Sequence, residues 1–200
     1  MPPSSPVAGS REQRRARIEK TALELFRTRG FDNVTVEDVC AEAGVAPATF
    51  YRHFGTKEEV VFAYREDFTA ALGRALDASA HVPDAERLPV VLGEFAAFLE
   101  SQQDVLALRD QIVLGHPRLM QRTLTVQRDV EGALAAGLAQ LRGSPTPDPA
   151  VLLEAGAGLL VLRVALRSWR AQGGGSLLTA TQQTLVRLRE VVAGLAIGGD

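Results

Sequence analysis

Cysteine occurs once in the 200 residues, at Cys40. A single thiol excludes an intramolecular disulfide and fits a reducing, cytoplasmic setting. The three histidines, His53, His81 and His116, are scattered without metal-ligand spacing, so no metal centre and no other cofactor is expected. Gly173-Gly174-Gly175 is not followed by a Lys-Ser/Thr pair and makes no phosphate loop. No dinucleotide motif and no paired acid–base site stands out, and no enzyme is expected. The amino-terminal stretch lacks the long apolar segment of a signal peptide. The longest nearly apolar run, Ala150–Leu162, has thirteen residues, short of the about 20 that span a bilayer. Arg163, Arg167 and Arg170 follow it, so no membrane partner is expected. Runs of alternating polar and apolar residues with hairpin turns are missing too, which leaves an all-α chain. The net charge of −2 excludes a uniformly basic coat for nucleic acid.

What the chain does contain is concentrated between Val34 and Lys57, in VTVEDVCAEAGVAPATFYRHFGTK. Thr35 followed by Asp38 is a capping box in short form, with the acid on the positive end of a helix. Val36, Val39, Cys40 and Ala43 recur at i, i+3, i+4 and i+7, a single apolar stripe. Cys40 lies on that stripe and reads as core packing rather than a redox sensor. Gly44 sits where a left-handed residue ends a helix. Pro47 opens a second helix, where its missing amide hydrogen costs nothing. Phe50 and Phe54, four apart, anchor the inner face of that helix. Thr49, Tyr51, Arg52 and His53 are then left outward or at the edges, and all can donate to phosphates or base edges. Helix, tight turn and second helix make the shape of a helix-turn-helix, whose second helix enters the DNA major groove. Taken alone, the same residues also fit an ordinary polar surface.

The flanks bear on that choice. Residues 11–29 form an amphipathic helix with Ile18, Ala22, Leu25 and Phe26 on one side. The segment holds seven Arg or Lys against three Glu, a balance of +4, with Arg11, Arg14, Arg15 and Arg17 at its start. Positive charge at a helix start opposes the dipole, which favours a negatively charged partner over a merely solvated face. Met1–Ser10, rich in Pro, Ser and Gly, is expected to be a disordered arm.

From Arg17 to about Phe62 the chain resembles the DNA-binding domain of TetR-family transcriptional regulators. The resemblance rests on Leu25-Phe26, Gly30-Phe31, Thr35-Val36, Ala43-Gly44-Val45, Thr49-Phe50-Tyr51, His53-Phe54 and Lys57-Glu58, spaced without a gap. It implies that the amide and hydroxyl of Thr35 hold a phosphate. It implies that Thr49 and Tyr51 face DNA, Tyr51 on a phosphate, and that Arg52 and His53 reach base edges or backbone. Lys57, at the next helix start, would meet a further phosphate. The chain departs from the family at two places. Ala46 stands where a Ser cap is frequent, and Ala48 where Gly is frequent. The full DNA-facing set is then Arg14, Arg15, Thr35, Pro47, Ala48, Thr49, Tyr51, Arg52, His53 and Lys57.

Beyond Thr56 the periodicity predicts helices alone: Lys57–Ala80, Leu88–Gln102, Asp104–Leu114, Pro117–Leu141, Pro149–Ala171 and Ser176–Ile197. The last two read as a dimer interface. A helix apolar nearly all round must bury two faces, Ala155-Gly156-Ala157-Gly158 would let helices approach closely, and Leu159, Leu185, Leu188, Val192 and Leu195 are placed to pair. A monomeric bundle is the alternative. Phe68, Phe95, Phe98, Ile112, Met120, Leu124, Leu162, Leu166 and Trp169 are large, apolar and spread over different helices. They suit a pocket for a small apolar effector, and they equally suit an ordinary core. Arg109 and His116 are candidate polar groups near that pocket, each better suited to a surface turn.

The sequence thus predicts a disordered arm (1–10), a three-helix DNA-binding domain (11–55) and a ligand-binding and dimerisation domain (56–200), with about nine helices. The expected function is a homodimeric transcriptional repressor, released from a pseudo-palindromic double-stranded operator by an unknown small molecule. A helical enzyme or carrier without DNA binding, and a protein-binding helical module, are the alternatives.

Overall fold

The computed structural model describes the backbone of residues 6–197 and the side chains of residues 11–194. Ten helices and no strand occur among the described residues: α1 (Pro6–Arg29), α2 (Val36–Ala43), α3 (Pro47–Phe54), α4 (Lys57–Val61), α5 (Tyr64–Ala78), α6 (Asp84–Ser101), α7 (Gln103–Leu114), α8 (Pro117–Leu141), α9 (Pro149–Ala171) and α10 (Leu177–Ile197). They form two compact units. The first comprises residues 1–66 with 104–124, the second residues 67–103 with 125–200.

Three elements depart from expectation. α1 begins at Pro6, so Pro6–Ser10 are helical rather than part of a disordered arm, while Met1–Ser5 lie outside the described residues. Extending a formed helix costs far less than nucleating one, and Pro suits the first turn. α6 starts at Asp84 rather than Leu88 and carries Pro89 inside it. Asp84 and Glu86 complement the dipole of its first turn, and Arg87 pairs with Asp84 at 2.7 Å. The helix expected over Lys57–Ala80 is present in two pieces, broken at Phe62-Ala63. Val60, Val61, Phe62 and Ala63 are all buried. Four successive residues point around most of a helix circumference, so a break lets all four turn inward.

In the first unit, α1 contributes Ile18, Ala22, Leu23, Leu25 and Phe26 to the core, joined by Phe31 and Val34 of the following turn. Phe26 and Phe31 meet edge to face at 4.9 Å.

In the second unit, α10 packs along α9 and α6. Asp148 caps α9 by accepting the Val151 amide at 2.8 Å. Trp169 Nε1 donates to the Gly175 carbonyl at 3.0 Å, which pins the turn between α9 and α10. Gly158 of α9 serves packing within the chain. A Cβ at Gly158 would stand 3.0 Å from Leu88 Cδ1, so its bareness admits α6 rather than a second copy. Gly137 similarly admits Leu76, which a Cβ would meet at 2.3 Å. As a 23-residue helix, α9 is long and apolar enough to cross a membrane by length and composition, extending beyond the thirteen-residue run Ala150–Leu162.

Candidate DNA interface

The start of α2 is held by a reciprocal cap. Thr35 Oγ1 accepts the Asp38 amide at 3.1 Å, while Asp38 Oδ2 accepts the Thr35 amide at 2.8 Å and hydroxyl at 2.7 Å. Bonds from the Thr35 hydroxyl and then its amide hold the Asp38 carboxyl below its ordinary range. The amide and hydroxyl expected to hold a phosphate are therefore already engaged. Gly44 ends α2 in the left-handed region (φ 62°, ψ 44°), and its amide bonds back to Ala41 and Cys40. Val39, Cys40 and Ala43 are buried on the predicted stripe, and burial pushes the Cys40 thiol up, as suits a packed, inert sulfur.

α3 is preceded by Ala46 at its N-cap, which makes no side-chain cap, and opens with Pro47 in its first turn. Phe50 and Phe54 are buried, 5.6 Å apart, and set the helix orientation. Rotation by 100° per residue then puts Ala48 and Arg52 on the opposite side and Tyr51 on one flank, all exposed with Pro47, while Thr49 is half-buried. Tyr51 is 51% exposed, its ring edge-on to Phe50 at 5.7 Å, so the hydroxyl is presented on a braced ring.

His53 does not join that outward set. It stands three residues after Phe50, beside the inner face, and its Nε2 is enclosed with no hydrogen-bond partner among the described residues. Burial first, then the charges of Arg52, Arg11, Arg14 and Arg15, push its pKa down, so the imidazole is neutral near pH 7. The same influences place positive charge from α1 and α3 around one spot, the feature a phosphate backbone would meet.

Two further cations are used differently from expectation. Lys57 Nζ donates to the carbonyls of Phe31 at 2.9 Å and Val34 at 3.1 Å, and lies 4.4 Å from the centre of the Phe31 ring. It fastens α4 to the turn between α1 and α2, with one N–H left for another acceptor. Arg15 donates to the Ala63 carbonyl at 3.1 Å, pairs with Glu66 at 3.3 Å and lies 5.7 Å over Phe54. Its guanidinium is committed to the unit itself, whereas Arg14 is half-buried one residue earlier on the helix.

Arg109 corrects the expectation of a surface turn. It is 3% exposed, pairs with Glu19 of α1 and donates Nη1 to the Val61 carbonyl at 2.7 Å. The signal was present: Leu106, Arg109 and Ile112 are three apart, so Arg109 lies on the inward row of α7. His116 does lie at the turn before α8, 3.6 Å from Asp32 and 5.2 Å from the Phe31 ring.

The nine pocket candidates fall in both units. Phe68, Phe95, Phe98, Leu162, Leu166 and Trp169 belong to the second. There Phe68 meets Phe95 and Phe98 edge to face at 5.6 and 5.7 Å, and those two stack at 5.9 Å. Ile112, Met120 and Leu124 belong to the first unit, with Ile112 buried and Met120 and Leu124 exposed. Of the dimer candidates, Val192 is exposed, Leu159, Leu185 and Leu188 are half-buried, and the Leu195 side chain lies outside the described residues. Sequence periodicity missed Leu153, Leu160 and Val164 of α9 and Leu178 and Val186 of α10, all exposed.

Comparison with known proteins places this geometry. Residues 18–64 match the family described as bacterial regulatory proteins, tetR family, and residues 80–193 match the MftR C-terminal domain. The chain is 31% identical to the HTH-type transcriptional regulator TcmR of Streptomyces glaucescens, over 73% of this chain and 69% of that protein. It is 28% identical to the mycofactocin biosynthesis transcriptional regulator MftR of Mycobacterium tuberculosis, over 74% of this chain and 75% of that one. Among solved structures, a TetR-family regulator from Syntrophomonas wolfei shares the fold with a TM-score of 0.66 at 20% identity, covering 92% of this chain and 97% of that one. The regulator FadR from Bacillus subtilis in complex with stearoyl-CoA shares it with a TM-score of 0.60 at 19% identity, covering 85% and 95%. With residues 18–64 and 80–193 both matched and a capped helix-turn-helix presenting Tyr51 and Arg52, the chain belongs to the tetR family of bacterial regulatory proteins and is a DNA-binding transcriptional regulator.

Proposed function

We propose that this regulator is a cytoplasmic homodimeric repressor that leaves a pseudo-palindromic operator when a small apolar molecule occupies its second unit. The observation that carries the dimer is the apolar surface left open along the last two helices. Leu153, Leu160 and Val164 lie along one side of α9 at 75, 42 and 43% exposure, and Leu178, Val186 and Val192 line α10 at 38, 53 and 57%. Exposed apolar side chains on both helices call for a partner, and a second copy supplies the same residues by two-fold symmetry. Two copies present two recognition helices, which suits half-sites spaced about 34–36 Å apart.

The aromatic cluster of Phe68, Phe95 and Phe98 supports an apolar effector in the second unit, since such sites are lined mainly by apolar and aromatic side chains. The stearoyl-CoA complex of the Bacillus subtilis FadR supplies an example of a ligand with an acyl chain on this fold. A ligand shifts the equilibrium only by its difference in affinity between the DNA-binding and released states. Within the first unit, Pro47, Ala48, Thr49, Tyr51 and Arg52 meet the groove, and Arg14 meets the backbone beside it. Thr35, His53, Arg15 and Lys57 support that surface more than they touch DNA.

Selection of genomic fragments on the purified protein tests this reading. Recovered fragments should share an inverted repeat, and the neighbouring genes should point to the effector. Recovery of fragments without a common repeat would contradict a dimer on a pseudo-palindrome.

A further inference from the structure

Residues 104–124 come from the middle of the chain, yet they form one compact unit with the helices that carry the DNA-facing residues. Besides the buried Leu106, Ile112 and Leu119, this segment brings two arginines to those helices. Arg109 of α7 reaches Glu19 of α1 and the Val61 carbonyl of α4, and its guanidinium lies 4.9 Å over the Tyr64 ring. Arg122 of α8 pairs with Glu59 of α4 and lies 5.4 Å over the Phe62 ring. Val61 is the last residue of α4, where the helix stops and the Arg65 amide turns to Phe62 instead. Arg109 supplies the donor that the interrupted helix withdraws from the Val61 carbonyl. One arginine thus ties the end of α4 to α1, and the other ties the body of α4 to α8.

These two helices flank the recognition helix. α1 carries Arg14, and α4 follows α3 after only Gly55-Thr56. The angle between α1 and α4 therefore decides whether the outer face of α3 and the arginines of α1 meet one duplex together. We propose that Arg109 and Arg122 are positioning residues for DNA binding: without touching DNA, they fix α1 and α4 against each other from α7 and α8. The inference rests on the reading of the α3 outer face as the DNA surface. The competing account is that both ion pairs only stabilise the unit.

The test uses the full chain and an operator duplex recovered by genomic selection. Operator affinity is measured by fluorescence anisotropy, and thermal midpoint by circular dichroism. Glu59→Arg is the informative single variant. It adds positive charge, which long-range attraction to DNA would turn into tighter binding, whereas loss of positioning weakens it. Both partners of this pair are partly exposed, so the variant should fold. The account expects Glu59→Arg and Arg122→Glu to bind about tenfold more weakly with thermal midpoints near the parent's. The exchange Glu59→Arg with Arg122→Glu should regain most of the affinity. Arg109→Lys should also weaken binding, because one ammonium cannot serve both Glu19 and Val61 as the guanidinium fork does. Tighter binding by Glu59→Arg, or single variants within about twofold of the parent, would overturn the proposal. So would an exchange variant that stays as weak as Arg122→Glu, since that would make Arg122 a direct DNA contact. A parent that binds no duplex at all would instead sink the reading of α3, which is a separate outcome.

Discussion

Thr35 and Asp38 close a reciprocal cap in which one carboxylate oxygen, Asp38 Oδ2, accepts both the amide and the hydroxyl of Thr35, at 2.8 and 2.7 Å. The pair fixes where α2 begins and hence where its partner α3 is aimed. Because these bonds depress the Asp38 pKa in the folded chain, the stabilisation is complete above the ordinary carboxylate pKa and is lost as pH falls through the lowered folded value. Thermal midpoints measured from neutral to acid pH should therefore fall less steeply for Asp38→Asn than for the parent, from a lower starting point. Superimposable pH profiles would show that the cap contributes no pH-dependent stability.

Tyr51→Phe should leave the thermal midpoint unchanged, because the hydroxyl is on the exposed side of a ring braced by Phe50. DNA affinity should fall by about 1.5–3 kcal/mol, the worth of a hydrogen bond to a charged group. The loss should be similar on operator and random duplex, since phosphate contacts carry little sequence information. Anisotropy titrations of both duplexes check this, and an undiminished affinity would remove Tyr51 from the interface.

Lys57→Ala should lower stability before it lowers salt dependence. The ammonium bonds two carbonyls, Phe31 and Val34; its removal leaves Phe31 with only the 3.5 Å bond from the Val34 amide and takes the Lys57 donor from the part-buried Val34 carbonyl, at about 1–3 kcal/mol. Urea unfolding should show that loss. The slope of log K against log salt should change by less than the about 0.9 expected for each phosphate contact removed. A full-sized slope change with unaltered stability would return Lys57 to the phosphate backbone.

The helix-turn-helix was legible because its signals are local. Thr35 with Asp38, Gly44, Pro47, and the Phe50–Phe54 spacing each act within one or two turns, and each stands where the sequence put it. The sites that went unread depend on partners distant in sequence. Arg109 finds Glu19, 90 residues away, and Lys57 finds the Phe31 carbonyl 26 residues away. Neither partner leaves a mark on the periodicity. His53 and Tyr51 lie equally far to either side of the Phe50–Phe54 midpoint, so helix geometry alone does not say that His53 Nε2 is enclosed while Tyr51 is exposed. Gly158 looked like an interface residue because smallness alone does not say which helix it admits.

Leu160→Glu together with Val192→Glu should abolish the dimer while leaving the chain folded, since the two residues are 42 and 57% exposed within one copy. Four like charges would enter the interface of a pair, at a cost of several kcal/mol. Sedimentation should give a monomer at about micromolar concentration, and operator affinity should collapse because each copy supplies one half-site. A folded double variant that still sediments as a dimer would move the interface away from α9 and α10.

The central claim is that the outer face of α3 binds the phosphate backbone and base edges of duplex DNA. It is tested most directly by titrating a labelled operator duplex with the parent and with Tyr51→Phe/Arg52→Ala across a range of salt concentrations. The account predicts that the parent binds with log K falling linearly against log salt, and that the double variant binds at least about tenfold more weakly on the operator. A double variant that matches the parent at every salt concentration would contradict it.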